Sequence, residues 1–579
     1  QVAFLAPVER RLNLFVQKLN EDKPRQVTEV KDRDIGGYFW KNANTLVYLK
    51  DDGGDENYHL FAVDLVSGKT RDLTPFPGVR AGVVDDLEDV ENEILIDLNQ
   101  RRPDVFDVYR LNVTTGEMQM VAENPGNYVG YLTDHEGKVR VAMAKEAEQN
   151  LNVLLYRETE EQEFRPILTT GFKDQVSPYF FSADNRQLYA TSNIGRDRKA
   201  LVLMDPATGK ETQLLYSHPE VDVGGAGWSR LRKVLTSVGY TTDKSRRHFF
   251  DDKIRNIYAT LEKQLPGYEV ALTSIDKAEE KFVVRTYSDK SRGAYYIFDL
   301  KTGKLKKWKD LSPWLNEKDM ADMRPISYKS RDGLIIHGYL TLPKGKEAKN
   351  LPVVVNPHGG PWVRDNWGFN SEVQLLASRG FAVLQMNYRG STGYGRSFWE
   401  AGFKQWGGKM QNDITDGVEW LIQQGIADPK RVAIYGASYG GYAVLAGLAF
   451  TPDVYACGVD YVGVSNIFTM IKTIPSYWKP LMAEFYEKVG HPEKEEEFLR
   501  SISPVFHADK IKAPLFIAQG ARDPRVNKSE SDQMVAALAA RGIKVEYMVK
   551  ENEGHGFRNE ENRFEFYEAM EKFLQGCLQ

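Results

Sequence analysis

Two domains of unlike construction are predicted: a seven-bladed β-propeller over residues 1–322, and a doubly wound, mostly parallel eight-stranded α/β sheet over 323–579. Three observations predict this. A strand–turn–strand pattern recurs through the first half with a period near 45 residues. Buried-strand runs alternate with amphipathic helical stretches in the second half. The chain has 579 residues, more than one core can hold, because single cores stop growing at roughly 250–300 residues.

The repeat begins as "LFVQKLNEDKPRQVTEV" at Leu14, then "LFAVDLVSGKTRDLTPF" at Leu60 and "VYRLNVTTGEMQMVAEN" at Val108. It continues as "VLLYRETEEQEFRPILTT" at Val153, "LVLMDPATGKETQLLYS" at Leu201 and "YYIFDLKTGKLKKWKDL" at Tyr295. The first five starts lie 46, 48, 45 and 48 residues apart and the last gap is 94, so a diverged seventh copy is expected inside it, with "IYATLEKQLPGYEVALTSI" near Ile257 as the candidate. Period-two alternation rich in Val, Tyr and Thr favours propeller blades over helical repeats. The first blade lacks its innermost strand. The acidic run "DDGGDENYHL" (51–60) reads as a solvated hairpin tip, since it lacks the ligand spacing of a calcium loop.

Composition narrows the partners. Lys plus Arg number 76 against 81 Asp plus Glu, a net charge of -5, so no basic excess recruits nucleic acid or an anionic membrane. No apolar stretch approaches the ~20 residues of a membrane helix. The two cysteines, Cys457 and Cys577, match neither zinc nor redox spacing; Cys457 reads as a small buried hydrophobe, and no disulfide scaffold is expected. The chain opens in strand-like alternation without an initiator Met. This supports an expectation of a trimmed leader and an exported, periplasmic location, with the cytoplasm as the alternative.

From about Arg324 the pattern changes. A hairpin, "PISYKSRDGLIIHGYLTLP", precedes the runs "LPVVVNPHG", "FAVLQMNYRG", "RVAIYG", "ACGVDYVGV", "APLFIAQG" and "VEYMVKENEG". Continuous apolar runs of this kind belong to strands covered on both faces, and function in such sheets gathers at the strands' carboxyl ends. There lies "YGASYGG", a G-x-S-x-G pattern with Ser438 at a strand-to-helix turn. A serine hydroxyl needs a base, and the base an orienting acid. Asp523 follows one strand and His555 the next, in the order Ser, Asp, His of an α/β-hydrolase. The loop "NPHGGPW" supplies Gly359 and Gly360, whose N–H groups, with that of Tyr439, are the expected oxyanion hole.

A seven-fold propeller joined to a domain carrying "HGGP", "NYRGSTGYG", "GASYGG", "DPRV" and "GHGF" resembles the prolyl oligopeptidase family of serine peptidases. The likeness is specific in the last 250 or so residues and architectural before them. The His-Gly-Gly-Pro sequence is similar to the acylaminoacyl peptidase branch. Other branches carry an oxyanion-binding tyrosine where His358 stands, so that mechanism does not transfer. The resemblance implies a propeller that restricts entry to short peptides, and a substrate-holding role for Arg525. It also implies an apolar specificity pocket from Tyr439, Val464, Ile467, Phe468 and Trp478, with His358 and Trp362 beside the substrate. It implies no metal or other cofactor. The expected function is a serine peptidase cleaving short peptides near their N-termini, acylaminoacyl- or dipeptidyl-peptidase-like. An esterase or amidase, or a silent propeller-based binding protein, are the alternatives. The sequence leaves homo-oligomer formation and the acidic residues that would hold a substrate ammonium open.

Overall fold

The computed structural model describes residues 1–579. Seven small antiparallel sheets follow one another from Val2 to Asp310. The repeated segments are the outer half of each blade. Leu60 lies in strand His59–Asp64, paired with Thr70–Asp72, and Leu201 in Ala200–Met204, paired with Glu211–Tyr216. The turn between them recurs for a physical reason. Asp64, Asn112, Asp205 and Asp299 each accept backbone N–H groups two or three residues on, and a glycine with φ near +70° to +80° completes the reversal at Gly68, Gly116, Gly209 and Gly303.

The first blade has three strands, Val2–Val8, Arg11–Gln17 and Arg25–Gln26. Its neighbour across the ring is the last blade: Phe4 meets Trp308 edge-on at 5.3 Å, Lys309 Nζ lies 3.6 Å from the Phe4 ring centre, and Trp308 Nε1 donates to Gln17 at 3.1 Å. The diverged copy is not at Ile257. Its repeat strand is Ser245–Phe249, in the three-stranded sheet with Val223–Ser229 and Val234–Thr241, and helix Asp252–Gln264 follows where other blades have a fourth strand. Ile254, Ile257, Tyr258 and Leu261 form that helix's buried stripe, and Asp251 caps it by accepting from Ile254 N. Spacing of three and four residues overrode the alternation expected of a strand.

The second domain is an eight-stranded sheet. Its strands are β1 (Met323–Lys329), β2 (Ile335–Thr341), β3 (Leu351–Val355) and β4 (Ala382–Asn387), then β5 (Ala427–Ala437), β6 (Cys457–Tyr461), β7 (Leu515–Gly520) and β8 (Glu546–Lys550). The order is β1-β2-β4-β3-β5-β6-β7-β8, antiparallel through β1, β2 and β4 and parallel from there on. Alternate residues feed two cores. Val353, Val355, Ile434 and Ile517 face one layer; Val354, Tyr435, Val459 and Phe516 face the other. Both faces are covered, which is why these strands are apolar throughout.

Two expectations are overturned here. Cys457 and Cys577 form a disulfide between β6 and the C-terminal helix Glu560–Leu578, with Cα atoms 6.4 Å apart; 120 residues of chain hid the pairing. The 51–60 run is no solvated tip but is pressed against the second domain: Asp51 and Glu56 are buried, and a Cβ on Gly54 would stand 2.4 Å from Gly554 N. Further contacts ring the interface. Lys145 bonds Glu484 at 2.7 Å, Lys173 bonds Glu400 at 2.9 Å, and Tyr339 donates to Asp243 O at 2.8 Å.

Candidate active site

Ser438 follows β5 directly, with φ 60° and ψ −120°, a conformation that non-glycine residues rarely hold. The surroundings enforce it. Ser438 N donates to Tyr461 O at 2.9 Å and Ser438 O accepts from Tyr442 N at 3.0 Å. A Cβ on Gly436 would fall 2.5 Å from Gly440 O, and one on Gly440 2.4 Å from Pro357 O, so only glycine fits on either side. The helix that follows, Tyr439–Phe450, is apolar nearly all round and buried, a central element between the sheet and its covering helices. Tyr439 N is at the first helical position and has no acceptor within the helix.

The ends of β7 and β8 bring Asp523 and His555 together. His555 Nδ1 lies 2.7 Å from Asp523 Oδ2, and the Asp523 side chain is fully enclosed. Asp523 Oδ1 accepts from Arg525 N and Val526 N, both at 2.9 Å, which fixes the carboxylate's face. Tyr461 links this pair to the serine turn, since its carbonyl binds Ser438 N and its hydroxyl accepts from Phe557 N. His555 is hydrogen-bonded to Asp523 and not to Ser438 Oγ; catalytic hydrogen bonds of this kind tighten in the Michaelis complex.

Gly359 stands against the serine: its added Cβ would be 3.4 Å from Ser438 Cβ and 3.0 Å from Ala437 O. Gly360 has φ +112°, open only to glycine. His358, expected beside the substrate, instead braces this loop. Its Nδ1 is 2.7 Å from Gly359 O, its Nε2 2.9 Å from Ser391 Oγ, and its ring stacks on Tyr388 at 4.3 Å. Burial lowers its pKa to about 4, so the ring is neutral near pH 7. Gly359 O can only accept, so Nδ1 carries the ring's proton, donates to that carbonyl and holds the Gly359–Gly360 peptide in place.

The expected pocket is only partly assembled. Val464 and Ile467 are 3% and 0% exposed and belong to the core, and the Tyr439 ring is enclosed by Tyr388, Trp406 and Tyr442. Their apolar spacing reflects packing. Phe468, Trp478 and Trp362 keep partial exposure; Phe468 meets Phe506 at 6.3 Å and Trp362 meets Phe485 at 6.1 Å. Arg525 Nε is 3.0 Å from Glu56 Oε2 on the propeller, which leaves both Nη groups without a protein partner. Arg80, also from the propeller, donates to Tyr477 OH at 3.1 Å and lies 3.7 Å from Glu56. Glu56 and Arg80 went unnoticed in the sequence; the acidic 51–60 run was the available signal for Glu56.

Beneath the serine helix, Asp460 is fully buried with neither oxygen in a well-formed hydrogen bond. Burial pushes its carboxyl up to about 7, opposed weakly by Gly463 N–H. The folded pKa lies above the unfolded one, so the group's contribution is fullest at low pH and declines as pH rises from about 4 to 7. Asp460→Asn, which cannot ionise, should gain Tm relative to the parent across that window and hold a constant difference above it. Melting curves at half-unit pH steps check this, and a pH-independent difference would contradict it.

The model of the "Prolyl oligopeptidase family" matches residues 367–579. Dipeptidyl aminopeptidase BIII of Pseudoxanthomonas mexicana is 37% identical over 596 aligned residues, covering 100% of this chain and 85% of that protein. Dipeptidyl peptidase family member 6 of Caenorhabditis elegans is 30% identical, covering 100% and 83%. The acylamino-acid-releasing enzyme of Arabidopsis thaliana is 30% identical over 237 residues, 40% of this chain and 31% of that protein.

Proposed function

Because this chain belongs to the prolyl oligopeptidase family of serine peptidases, we propose that it removes dipeptides from the free N-termini of short peptides. The observation that carries this is coverage. Two of the relatives named as dipeptidyl peptidases align with the whole chain, propeller included, whereas the match to the acylamino-acid-releasing enzyme is too short to span both domains. The propeller decides what reaches the serine, so likeness there bears on substrate choice.

Ser438 Oγ attacks the carbonyl carbon of the second peptide bond while His555 Nε2 takes its proton. Asp523 holds the imidazole's tautomer and stabilises the imidazolium. The oxyanion accepts from Tyr439 N–H and from the N–H groups of Gly359 and Gly360. The C–N bond breaks as His555 returns the proton to the leaving amine, and water, deprotonated by the same histidine, hydrolyses the acyl-enzyme. The free Nη groups of Arg525 hold the backbone carbonyl of the N-terminal residue. Disulfide-bonded Cys457 and Cys577 suit an oxidising compartment and support an extracytoplasmic location.

The test is a matched peptide series with free, acetylated and one-residue-extended N-termini, with products read by mass spectrometry. A dipeptide should leave the free-ended peptide, and acetylation should lower kcat/KM on the order of 10²-fold or more, as expected where a charged group loses its partner. Equal or faster turnover of the acetylated peptide would overturn the dipeptidyl reading in favour of acylaminoacyl release.

A further inference from the structure

Glu553, two residues before the catalytic-loop histidine, is wholly enclosed and holds its own loop shut. Its Oε1 accepts from Asn559 N at 2.8 Å and Asn562 Nδ2 at 2.9 Å, and its Oε2 from Arg558 N at 3.0 Å. Its carbonyl accepts from Arg522 N at 2.9 Å, beside Asp523. One side chain and one carbonyl thus tie the His555 loop to itself and to the acid's loop. The remaining partner comes from the other domain. Arg33 of the propeller, its side chain 3% exposed, reaches Glu553 Oε2 with Nη1 at 2.8 Å and Asp51 Oδ1 with Nε at 3.0 Å. Beside it the Gly54 and Gly554 backbones touch, since a Cβ on Gly554 would stand 1.9 Å from Gly54 O. Arg11 and Glu561 add a two-pronged bond at 2.7 and 3.1 Å.

We propose that Arg33 is a positioning residue for hydrolysis: by pairing with Glu553 across the domain boundary, it sets His555 against Asp523. The proposal rests on the reading of Ser438, Asp523 and His555 as a triad. A buried carboxylate without its cation must find another charge partner or protonate, and either outcome rearranges the loop on which His555 sits. Misplacement of a reacting group by about 1 Å costs on the order of 10²-fold in rate.

The experiment uses the full chain and three variants, Arg33→Met, Arg33→Lys and Glu553→Gln. It compares kcat and KM per active site, fluorophosphonate labelling rates of Ser438, and Tm. Arg33→Met and Glu553→Gln should lose about 10²-fold in kcat and in labelling rate with KM little changed. Arg33→Lys, keeping charge but not the fork, should recover part of both. A purely structural role would lower Tm and leave kcat per titrated site within about twofold of the parent, which would overturn the proposal. If Arg33→Met fails to fold, Glu553→Gln decides, because parental kcat and labelling rate there overturn the proposal equally. An unlabelled parent protein would defeat the triad reading and this proposal together; a labelled parent beside equally reactive variants defeats this proposal alone.

Discussion

Ser438→Ala folds and melts like the parent and turns over peptides roughly 10⁶-fold more slowly, the drop seen when a triad nucleophile is removed. Stability is unchanged because the strain at φ 60°, ψ −120° belongs to the backbone and alanine bears the same Cβ. No buried hydrogen bond of the hydroxyl is lost with it. Residual activity persists because the oxyanion donors, Tyr439 N–H and the Gly359–Gly360 loop, still favour a tetrahedral adduct formed by water, worth about 10³–10⁴ over the uncatalysed rate. Initial rates with active-site titration, alongside loss of fluorophosphonate labelling, read this out. A variant keeping more than a hundredth of parental kcat would show that another nucleophile does the chemistry.

Arg389→Met should cost roughly 3–5 kcal/mol of stability, because it strands a buried charge. Arg389, the third residue of the "NYRGSTGYG" loop, is 3% exposed. Its Nε and Nη2 reach Asp413 at 2.8 and 2.7 Å, its Nη1 reaches Asp332 at 2.7 Å, and its own N–H adds a bond to Asp413 at 2.9 Å. Asp413 is wholly enclosed, and burial already raises its pKa against the pull of Arg389. Without the guanidinium the carboxylate must protonate or draw in water. A loss of this size lowers Tm on the order of 10 °C for a domain this large. The double variant Arg389→Met/Asp413→Leu should regain most of it, since an apolar pair replaces a buried ion pair at little cost. Activity falls further than stability, because the neighbouring Tyr388 donates to His358 O at 2.7 Å and so steadies the oxyanion loop. Differential scanning calorimetry on the single and double variants checks the first claim, and a Tm within 2 °C or so of the parent for Arg389→Met would refute it.

The features legible in the sequence are those whose cause is local. Gly436 and Gly440 flank Ser438 because that turn admits no side chain, and a strand before and a helix after are visible within fifteen or so residues. The Asp-or-Asn turn with its glycine announces each blade for the same reason. What stayed hidden depends on residues far apart in the chain. Glu56 meets Arg525 469 positions away, and Arg33 meets Glu553 520 away; neither end carries a pattern naming the other. Val464 and Ile467 misled because an apolar side chain near a site looks the same whether it faces substrate or core. Helix Asp252–Gln264 took a blade strand's place through its own three-and-four spacing, which the expected period near 45 obscured.

The bond between Cys457 and Cys577 closes a ring of chain that contains Asp523 and His555 and leaves Ser438 outside. Unfolded but oxidised, the molecule is therefore a lasso with Asp523 and His555 on the noose and Ser438 on the rope. A single cut anywhere between 457 and 577 leaves one covalent piece until reductant is added. A cut just ahead of Cys457 parts Ser438 from His555 at once when the fold is lost.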